Sequence, residues 1–205
     1  MTDTLVKQLY RTYGNAKCAL KHENALQLLI ATILSAQCTD ERVNKVTQTL
    51  FQKYNTAEDY SKAPLKQIEK EIHSTGFFRS KAKYIKSACT IIQTKFFGIV
   101  PDSMDSLVQL PGVGRKTANV VLGSWFKKPT GVVVDTHVKR ISKKLGLTES
   151  DNPEKIEKDL MSTLKKEDWI NFSHMIIWHG RKICTARKPK CSECPILSNC
   201  PSSNS

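Results

Sequence analysis

The sequence of 205 residues contains no long apolar run and comparatively few acidic side chains. No stretch reaches the roughly 18 apolar residues that a membrane-spanning helix needs, and the first residues lack the apolar centre of a secretory signal peptide. Aspartate and glutamate together number 19 against 32 lysines and arginines, so the formal net charge is +13. These features predict an intracellular protein that binds no membrane. They also favour a polyanionic partner, with nucleic acid as the leading class.

Strand patterns are scarce as well. The β-branched run at residues 132–134 has no second strand pattern to pair with, and because a single strand is not stable alone, we interpret it as a buried extended linker. Elsewhere apolar residues recur at helical spacing. The pattern therefore predicts an all-α protein, with helices over residues 5–13, 25–35, 41–54, 64–76, 80–96, 103–109, 114–126, 136–145, 152–164 and 169–182.

Residues 103–126 are predicted to form two helices joined by a tight hairpin, with Pro111 ending the first helix. Gly112 and Gly114 supply backbone freedom to the turn. They also leave bare N–H groups at the start of the second helix, which is a ready anion site. Lys116 lies in the first turn of that helix. In a chain this basic the expected anion is DNA phosphate, although an ordinary helix–turn–helix with a solvated lysine would have the same local pattern.

Seven cysteines in a reducing compartment favour a metal centre over disulfides. Four of them lie within seventeen residues near the C-terminus, separated by six, two and five residues: Cys184, Cys191, Cys194 and Cys200. Four thiolates with this spacing can surround a zinc ion or an iron–sulfur cluster. Structural zinc usually uses two short cysteine pairs, and only one such pair is present here.

Several segments together resemble the endonuclease III family of DNA glycosylases and AP lyases. They are the hairpin string at residues 110–122, the Leu-Ser-Ala-Gln element at 34–37, the Val-Asp-Thr-His element at 134–137 and the cysteine spacing. The resemblance covers nearly the whole chain and implies a two-lobed helix-hairpin-helix glycosylase fold. One lobe would be a six-helix domain over residues 19–130. The other would join residues 1–18 to residues 131–205 and carry a structural 4Fe–4S cluster on the four cysteines, in the loop at 184–200.

The resemblance implies that Lys116 is the catalytic nucleophile and Asp135 the carboxylate that works with it, both near the groove between the lobes. A lysine amine can attack the sugar C1′ and form the imine that strand cleavage needs, but it must first lose its proton. The positive end of a helix disfavours an ammonium by only about 0.3–1 kcal/mol, so desolvation or the neighbouring Arg115 cation must contribute more. Asp135 also has a structural alternative, because it is well placed to cap the helix that starts at Thr136.

The resemblance also assigns contacts with DNA. Gln37 would fill the hole that the extruded nucleotide leaves, and Phe77, where the family often has leucine, would wedge opposite the gap. A hydrogen bond at a helix end is the alternative for Gln37, and a core position is the alternative for Phe77. Further DNA contacts are predicted for hairpin residues, for two residues after Asp135 and for three cations in the first cysteine loop: Gly112, Gly114, Arg115, His137, Arg140, Arg187, Lys188 and Lys190. Capping or solvated surface positions are the alternatives for the last five.

The predicted enzyme is bifunctional. Its N-glycosylase activity would remove oxidised pyrimidines, and its AP lyase activity would cut 3′ to the abasic site by β-elimination through a Schiff base on Lys116. The predicted partner is double-stranded DNA that contains damaged bases or abasic sites, bound by a monomer. If the protein is bacterial, its predicted location is the cytoplasm or nucleoid. Two alternatives stay open: a monofunctional mismatch glycosylase of the same fold, which would lack the lysine, and a non-catalytic DNA-binding module that carries the cluster.

Overall fold

The computed structural model describes residues 2–204, and within that range it contains helices, turns and irregular segments but no strand. The all-α prediction is confirmed. The α-helices, in chain order, are α1 (Thr2–Tyr13), α2 (Ala25–Leu34), α3 (Asp40–Lys53), α4 (Ala57–Lys62), α5 (Leu65–Glu71), α6 (Phe78–Lys95), α7 (Met104–Leu107), α8 (Arg115–Ser124), α9 (Thr136–Lys144), α10 (Pro153–Thr163) and α11 (Trp169–Lys182). None of the helices within residues 2–204 is long and apolar enough to cross a membrane.

The chain divides into two compact units. Ala19–Lys128 form one of them, which we call the inserted unit. Met1–Cys18 and Pro129–Ser205 together form the other, which we call the terminal unit. The N-terminal helix therefore belongs with the C-terminal third of the chain, and a single continuous segment lies between them.

The inserted unit is built around α2, which is buried over most of its length. Asn24 caps the start of α2 by accepting a hydrogen bond from the amide of Gln27 at 2.9 Å, and Ser35 caps its end. Helices α3, α6 and α8 pack against it. Because α2 has apolar side chains all round, it suits a position surrounded by other helices.

Three helices of the inserted unit differ clearly from the sequence prediction. The predicted helix 64–76 ends early, because α5 stops at Glu71 and a separate 3-10 helix (His73–Thr75) follows it. The sequence pattern does not predict α4, which is only six residues long and is held by a capping box between Thr56 and Asp59. The first helix of the hairpin, α7, is shorter than predicted. It ends at Leu107, where the amide of Leu110 donates a hydrogen bond to the Leu107 carbonyl at 3.1 Å and forms a tight turn. The predicted bounds 103–109 are therefore wrong at the C-terminal end.

The core of the terminal unit joins α1 to α9, α10 and α11. The run at residues 132–134 is extended, with Val132 and Val134 in this core. The amide of Val133 donates to the hydroxyl of Ser173 at 3.0 Å. A side chain therefore satisfies a backbone group that a second strand would otherwise pair with, as the linker interpretation predicts.

Candidate functional site

The hairpin between α7 and α8 requires glycine at position 112. Gly112 has φ +79°, and a Cβ built on it would lie 2.7 Å from Cβ of Tyr84 in α6. Gly114 is the N-cap of α8 and has no side chain with which to cap it. The start of α8 therefore lacks a side-chain cap, and uncapped helix N-termini commonly bind anions.

Lys116 lies in the first turn of α8 and is exposed, as is its neighbour Arg115. The inserted unit by itself therefore leaves the Lys116 amine in contact with solvent. Any desolvation of this amine has to come from a bound molecule.

Asp135 caps α9. Its Oδ1 accepts a hydrogen bond from the amide of Val138 at 2.8 Å, and its backbone is extended as an N-cap requires. The capping alternative stated above is confirmed. The cap uses one carboxylate oxygen and leaves Oδ2 outside it, so the same side chain can also act chemically.

Arg140 and His137, both predicted to contact DNA, lie close together on α9. The guanidinium of Arg140 donates to Sγ of Cys184 at 3.5 Å, and its other nitrogen is 3.4 Å from Nδ1 of His137. A Cβ on Gly180 of α11 would lie 2.7 Å from that same Nδ1, so Gly180 makes room for the His137 ring. The structure thus directs Arg140 towards the cysteine loop, and a contact with DNA stays a prediction for both side chains.

Gln37 and Phe77 both follow helices of the inserted unit and share an unusual backbone conformation. Gln37 has φ +51° and Phe77 has φ +48°, although neither is glycine. Phe77 is 64% exposed, so the alternative of a core position is wrong for this residue. Gln37 is also exposed, and the residue that caps α2 is Ser35.

The four cysteines line one mostly apolar cavity together with Ile141, Leu145, Ile183 and Ile196. No three His, Cys, Asp or Glu side chains in the described part of the chain converge closely enough to hold a single metal ion. Four thiols that line one cavity suit an iron–sulfur cluster, which cysteine thiolates hold. Burial raises the pKa of the Cys194 thiol, and cysteine binds metal only as the thiolate.

Sequence reasoning missed His179, which lines this cavity, and Tyr13, which is hydrogen-bonded to His179. The buried His179 places Nε2 3.8 Å from Sγ of Cys194 and Nδ1 2.9 Å from the hydroxyl of Tyr13. Tyr13 lies in α1, 166 residues away along the chain. No local pattern marks either side chain, because their importance arises only from packing in the terminal unit.

The basic loop between Cys184 and Cys191 is held in a defined shape. The Thr185 hydroxyl donates to the Lys188 carbonyl at 2.7 Å, and the Lys190 amide donates to the Ile183 carbonyl at 3.0 Å. The three cations predicted to contact DNA are all exposed here: Arg187, Lys188 and Lys190. Their side chains therefore lie on the surface of a structured loop.

Comparison with known proteins gives consistent results. The sequence model for HhH-GPD superfamily base excision DNA repair proteins matches residues 30–166, and the model for the iron–sulfur binding domain of endonuclease III matches residues 184–200. Endonuclease III of Synechocystis is 55% identical over 194 residues, which cover 95% of this chain and 89% of that protein. Endonuclease III of Bacillus subtilis is 48% identical, with 92% and 86% covered.

A solved structure of a trapped endonuclease III–DNA covalent intermediate is 44% identical to this chain, with a TM-score of 0.94 and coverage of 99% of this chain and 95% of that one. The helical hairpin, the cluster domain and these matches define a base excision DNA repair protein of the HhH-GPD superfamily. Within it, the chain belongs to the endonuclease III family of DNA glycosylases and AP lyases. The predicted family and the predicted 4Fe–4S cofactor are therefore confirmed.

Proposed function

We propose that this protein removes oxidised pyrimidines from double-stranded DNA and then cuts the strand 3′ to the abasic site, with Lys116 as the nucleophile for both steps. The observation that carries the proposal is the position of Lys116. Its exposed amine lies in the first turn of α8, directly after an uncapped hairpin whose amides suit a phosphate. The relative of known structure forms a covalent intermediate with DNA, which supports a covalent route here.

The chemistry requires a neutral amine at the sugar. The Lys116 lone pair attacks C1′, the bond from C1′ to the base breaks, and the base leaves with the bonding electrons and a proton. The C1′–O4′ bond of the sugar then breaks as the lysine nitrogen forms an iminium ion with C1′, and O4′ takes up a proton. The iminium acidifies the C2′ hydrogen, and loss of that proton forms the C2′–C3′ double bond and expels the 3′ phosphate oxygen. Because Lys116 is exposed in the protein alone, we assign the desolvation of its ammonium to the flipped nucleotide itself.

Asp135 stabilises positive charge that develops at C1′ and accepts the proton that Lys116 loses. Its cap to Val138 supports this role, because the hydrogen bond to Oδ1 holds the carboxylate in one orientation and leaves Oδ2 outside the cap. A charge that is already oriented stabilises the transition state without a further cost of reorganisation.

The DNA contacts follow from exposure and charge. Gln37 and Phe77 project from the inserted unit and enter the duplex at the flipped nucleotide. Gly112, Gly114 and Arg115 hold the phosphates at the hairpin, while the cations at positions 187, 188 and 190 contact the backbone elsewhere. The protein acts as a monomer, and in a bacterium it would work at the nucleoid.

The 4Fe–4S cluster has a structural role, with Cys184, Cys191, Cys194 and Cys200 as its ligands. Bound iron supplies the charge that keeps these thiols deprotonated. The ligands in turn shape the basic loop between the first two of them, where Thr185 and Lys190 make the hydrogen bonds described above.

Borohydride trapping on abasic-site duplex tests the proposal. The intact protein should form a covalent adduct, and Lys116→Gln should form none. Lys127→Gln is a matched control, because it removes an equally exposed lysine shortly after the same helix and should trap normally. Absence of an adduct with the intact protein would favour the non-catalytic DNA-binding alternative. A duplex with a single thymine glycol then tests base removal.

A further inference from the structure

The two loops that carry Gln37 and Phe77 are both conformationally unfavourable. Each side chain is exposed, and each residue has a left-handed backbone that non-glycine residues rarely adopt. Such conformations persist only where the surrounding structure enforces them. Some feature of the inserted unit therefore has to hold both loops in place.

Lys81 is hydrogen-bonded to the backbone just before both loops. Its side chain is buried in α6, and Nζ donates to the carbonyl of Leu34 at 2.8 Å and to the carbonyl of Thr75 at 2.8 Å. Leu34 is the last residue of α2, three positions before Gln37. Thr75 is the last residue of the 3-10 helix His73–Thr75, two positions before Phe77. One ammonium therefore joins the ends of two elements that are distant in sequence.

A lysine is unfavourable at a buried position unless its ammonium makes strong hydrogen bonds. Burial lowers the pKa of Lys81, which reflects that cost. The two hydrogen bonds of Lys81 offset this cost, because the last carbonyls of a helix have no partner within the helix. An apolar side chain of the same length would fill the space but would leave both carbonyls unpaired.

We propose that Lys81 is a positioning residue that keeps the Gln37 loop and the Phe77 loop at one separation, so that both side chains enter the duplex together. The inference rests on the proposed DNA contacts of these two loops. Lys81 itself touches neither the sugar nor the base. Its loss should therefore reduce the discrimination between a duplex with an abasic site and an intact duplex. Non-specific binding, which depends on the surface cations, should stay unchanged.

The same helix provides a closely matched control. Nζ of Lys86 also donates to two carbonyls, those of Ser61 and Ala63, both at 2.6 Å. These carbonyls lie at the end of α4 and carry no predicted DNA contact. Lys86→Met therefore removes an equivalent bridge from α6 without releasing either loop.

The test measures affinity by fluorescence anisotropy for two duplexes, one intact and one with a tetrahydrofuran residue that mimics an abasic site and resists cleavage. In Lys81→Met, the ratio of the two affinities should fall by about tenfold, because the loops lose their preorganisation. Lys86→Met should keep the ratio within about twofold of the intact protein. An unchanged ratio in Lys81→Met, or an equal fall in both variants, would overturn the inference.

Combining substitutions separates the proposed role of Lys81 from the proposed DNA contacts of Gln37 and Phe77. In a Gln37→Ala, Phe77→Ala background, Lys81→Met should cause no further loss of discrimination, since its effect passes through the two loops. If the loop variants alone leave discrimination intact, the proposed loop contacts are wrong. If they reduce it and Lys81→Met does not, only the role of Lys81 is wrong. An additive loss would also contradict it.

Circular dichroism and the visible absorbance of the cluster establish whether each variant folds. Should Lys81→Met fail to fold, Lys81→Gln decides the question, because its shorter amide can reach only one of the two carbonyls. We expect a native fold and an intermediate loss of discrimination. A folded Lys81→Gln protein with undiminished discrimination would refute the positioning role.

Discussion

Nη1 of Arg140 lies 3.5 Å from Sγ of Cys184, which joins the helix that starts after Asp135 to the first cysteine of the cluster loop. A hydrogen bond from a guanidinium stabilises charge on sulfur. The same guanidinium is 3.4 Å from the ring of His137. Helix α9 thus contacts both features: Asp135 caps its start, and Arg140, one turn further on, contacts the cluster loop at Cys184.

Arg140→Gln should therefore weaken retention of the cluster. Loss of a side chain that supports a metal ligand commonly lowers metal affinity by about 10–100-fold, and we expect iron to be released about tenfold faster in the presence of a chelator. Visible absorbance and iron content measure this. Lys139→Gln removes the adjacent cation, which pairs with Asp151 at 3.1 Å instead, and should release iron at the original rate. Equal rates in both variants would contradict the prediction.

The two hairpin glycines should respond differently to alanine. Gly112→Ala introduces a Cβ against Tyr84 at a left-handed residue, and we expect the free energy of unfolding to fall by about 2–4 kcal/mol. At Gly114 no atom lies within 4 Å of the added Cβ, so Gly114→Ala should cost at most about 1 kcal/mol.

Thermal denaturation followed by circular dichroism distinguishes these effects. DNA affinity provides the complementary measurement, because a methyl group at position 114 would separate the α8 amides from a phosphate. For Gly114→Ala we expect weaker DNA binding, with the free energy of unfolding lowered by no more than about 1 kcal/mol. A stable Gly112→Ala protein would show that the turn can relax away from Tyr84.

The two roles of Asp135 can be separated by substitution. Asparagine caps a helix about as well as aspartate does, so Asp135→Asn should keep the bond to Val138 and change the free energy of unfolding by at most about 0.5 kcal/mol. Base release should nevertheless slow by about 10²–10³-fold, because the charge at C1′ loses its partner.

Asp135→Ala removes the cap as well as the charge. It should slow base release to a similar extent and also destabilise the protein by about 1 kcal/mol. Single-turnover kinetics on a thymine glycol duplex, together with thermal denaturation, measure both quantities. Normal base release by Asp135→Asn would leave Asp135 as a capping residue alone.

Ile196 should link the cluster loop to the core of the terminal unit. It is 1% exposed and packs within that core, whereas Leu197 beside it is 38% exposed. Ile196→Ala should lower the free energy of unfolding by about 2–5 kcal/mol and accelerate loss of iron, since Cys194 and Cys200 flank the same segment. Leu197→Ala should change stability by about 0.5 kcal/mol or less. Similar effects of the two substitutions would show that the loop folds independently of the core.

The helices were largely predictable because their apolar residues recur at regular spacing. The predicted last helix, 169–182, coincides with α11. Helix α4 was missed because six residues are too few to show a period, although the Thr56 and Asp59 pair is a readable capping signal. The left-handed residues Gln37 and Phe77 could not be anticipated, because neither residue type favours that conformation.

The candidate site divides in the same way. The hairpin and the helix start are properties of neighbouring residues and could be predicted locally. The catalytic roles of Lys116 and Asp135 come from the resemblance of those segments to a known family and stay predictions. Arg140 was predicted to face DNA, and its approach to Cys184 depends on packing between segments 44 residues apart. The bridge made by Lys81 spans 47 residues to Leu34. Contacts between residues so far apart in sequence depend on the folded structure, and the spacing of neighbouring residues does not predict them.

The division of the chain into an inserted unit and a terminal unit has a consequence for synthesis. Leu5, Val6 and Leu9 of α1 belong to a core whose other members begin at Val132. As the polypeptide leaves the ribosome, the inserted unit is complete before the helices that pack against α1 have been synthesised. We therefore expect residues 19–128 to fold first. The N-terminal helix should stay exposed to solvent until α11 emerges, and the cluster should be assembled last.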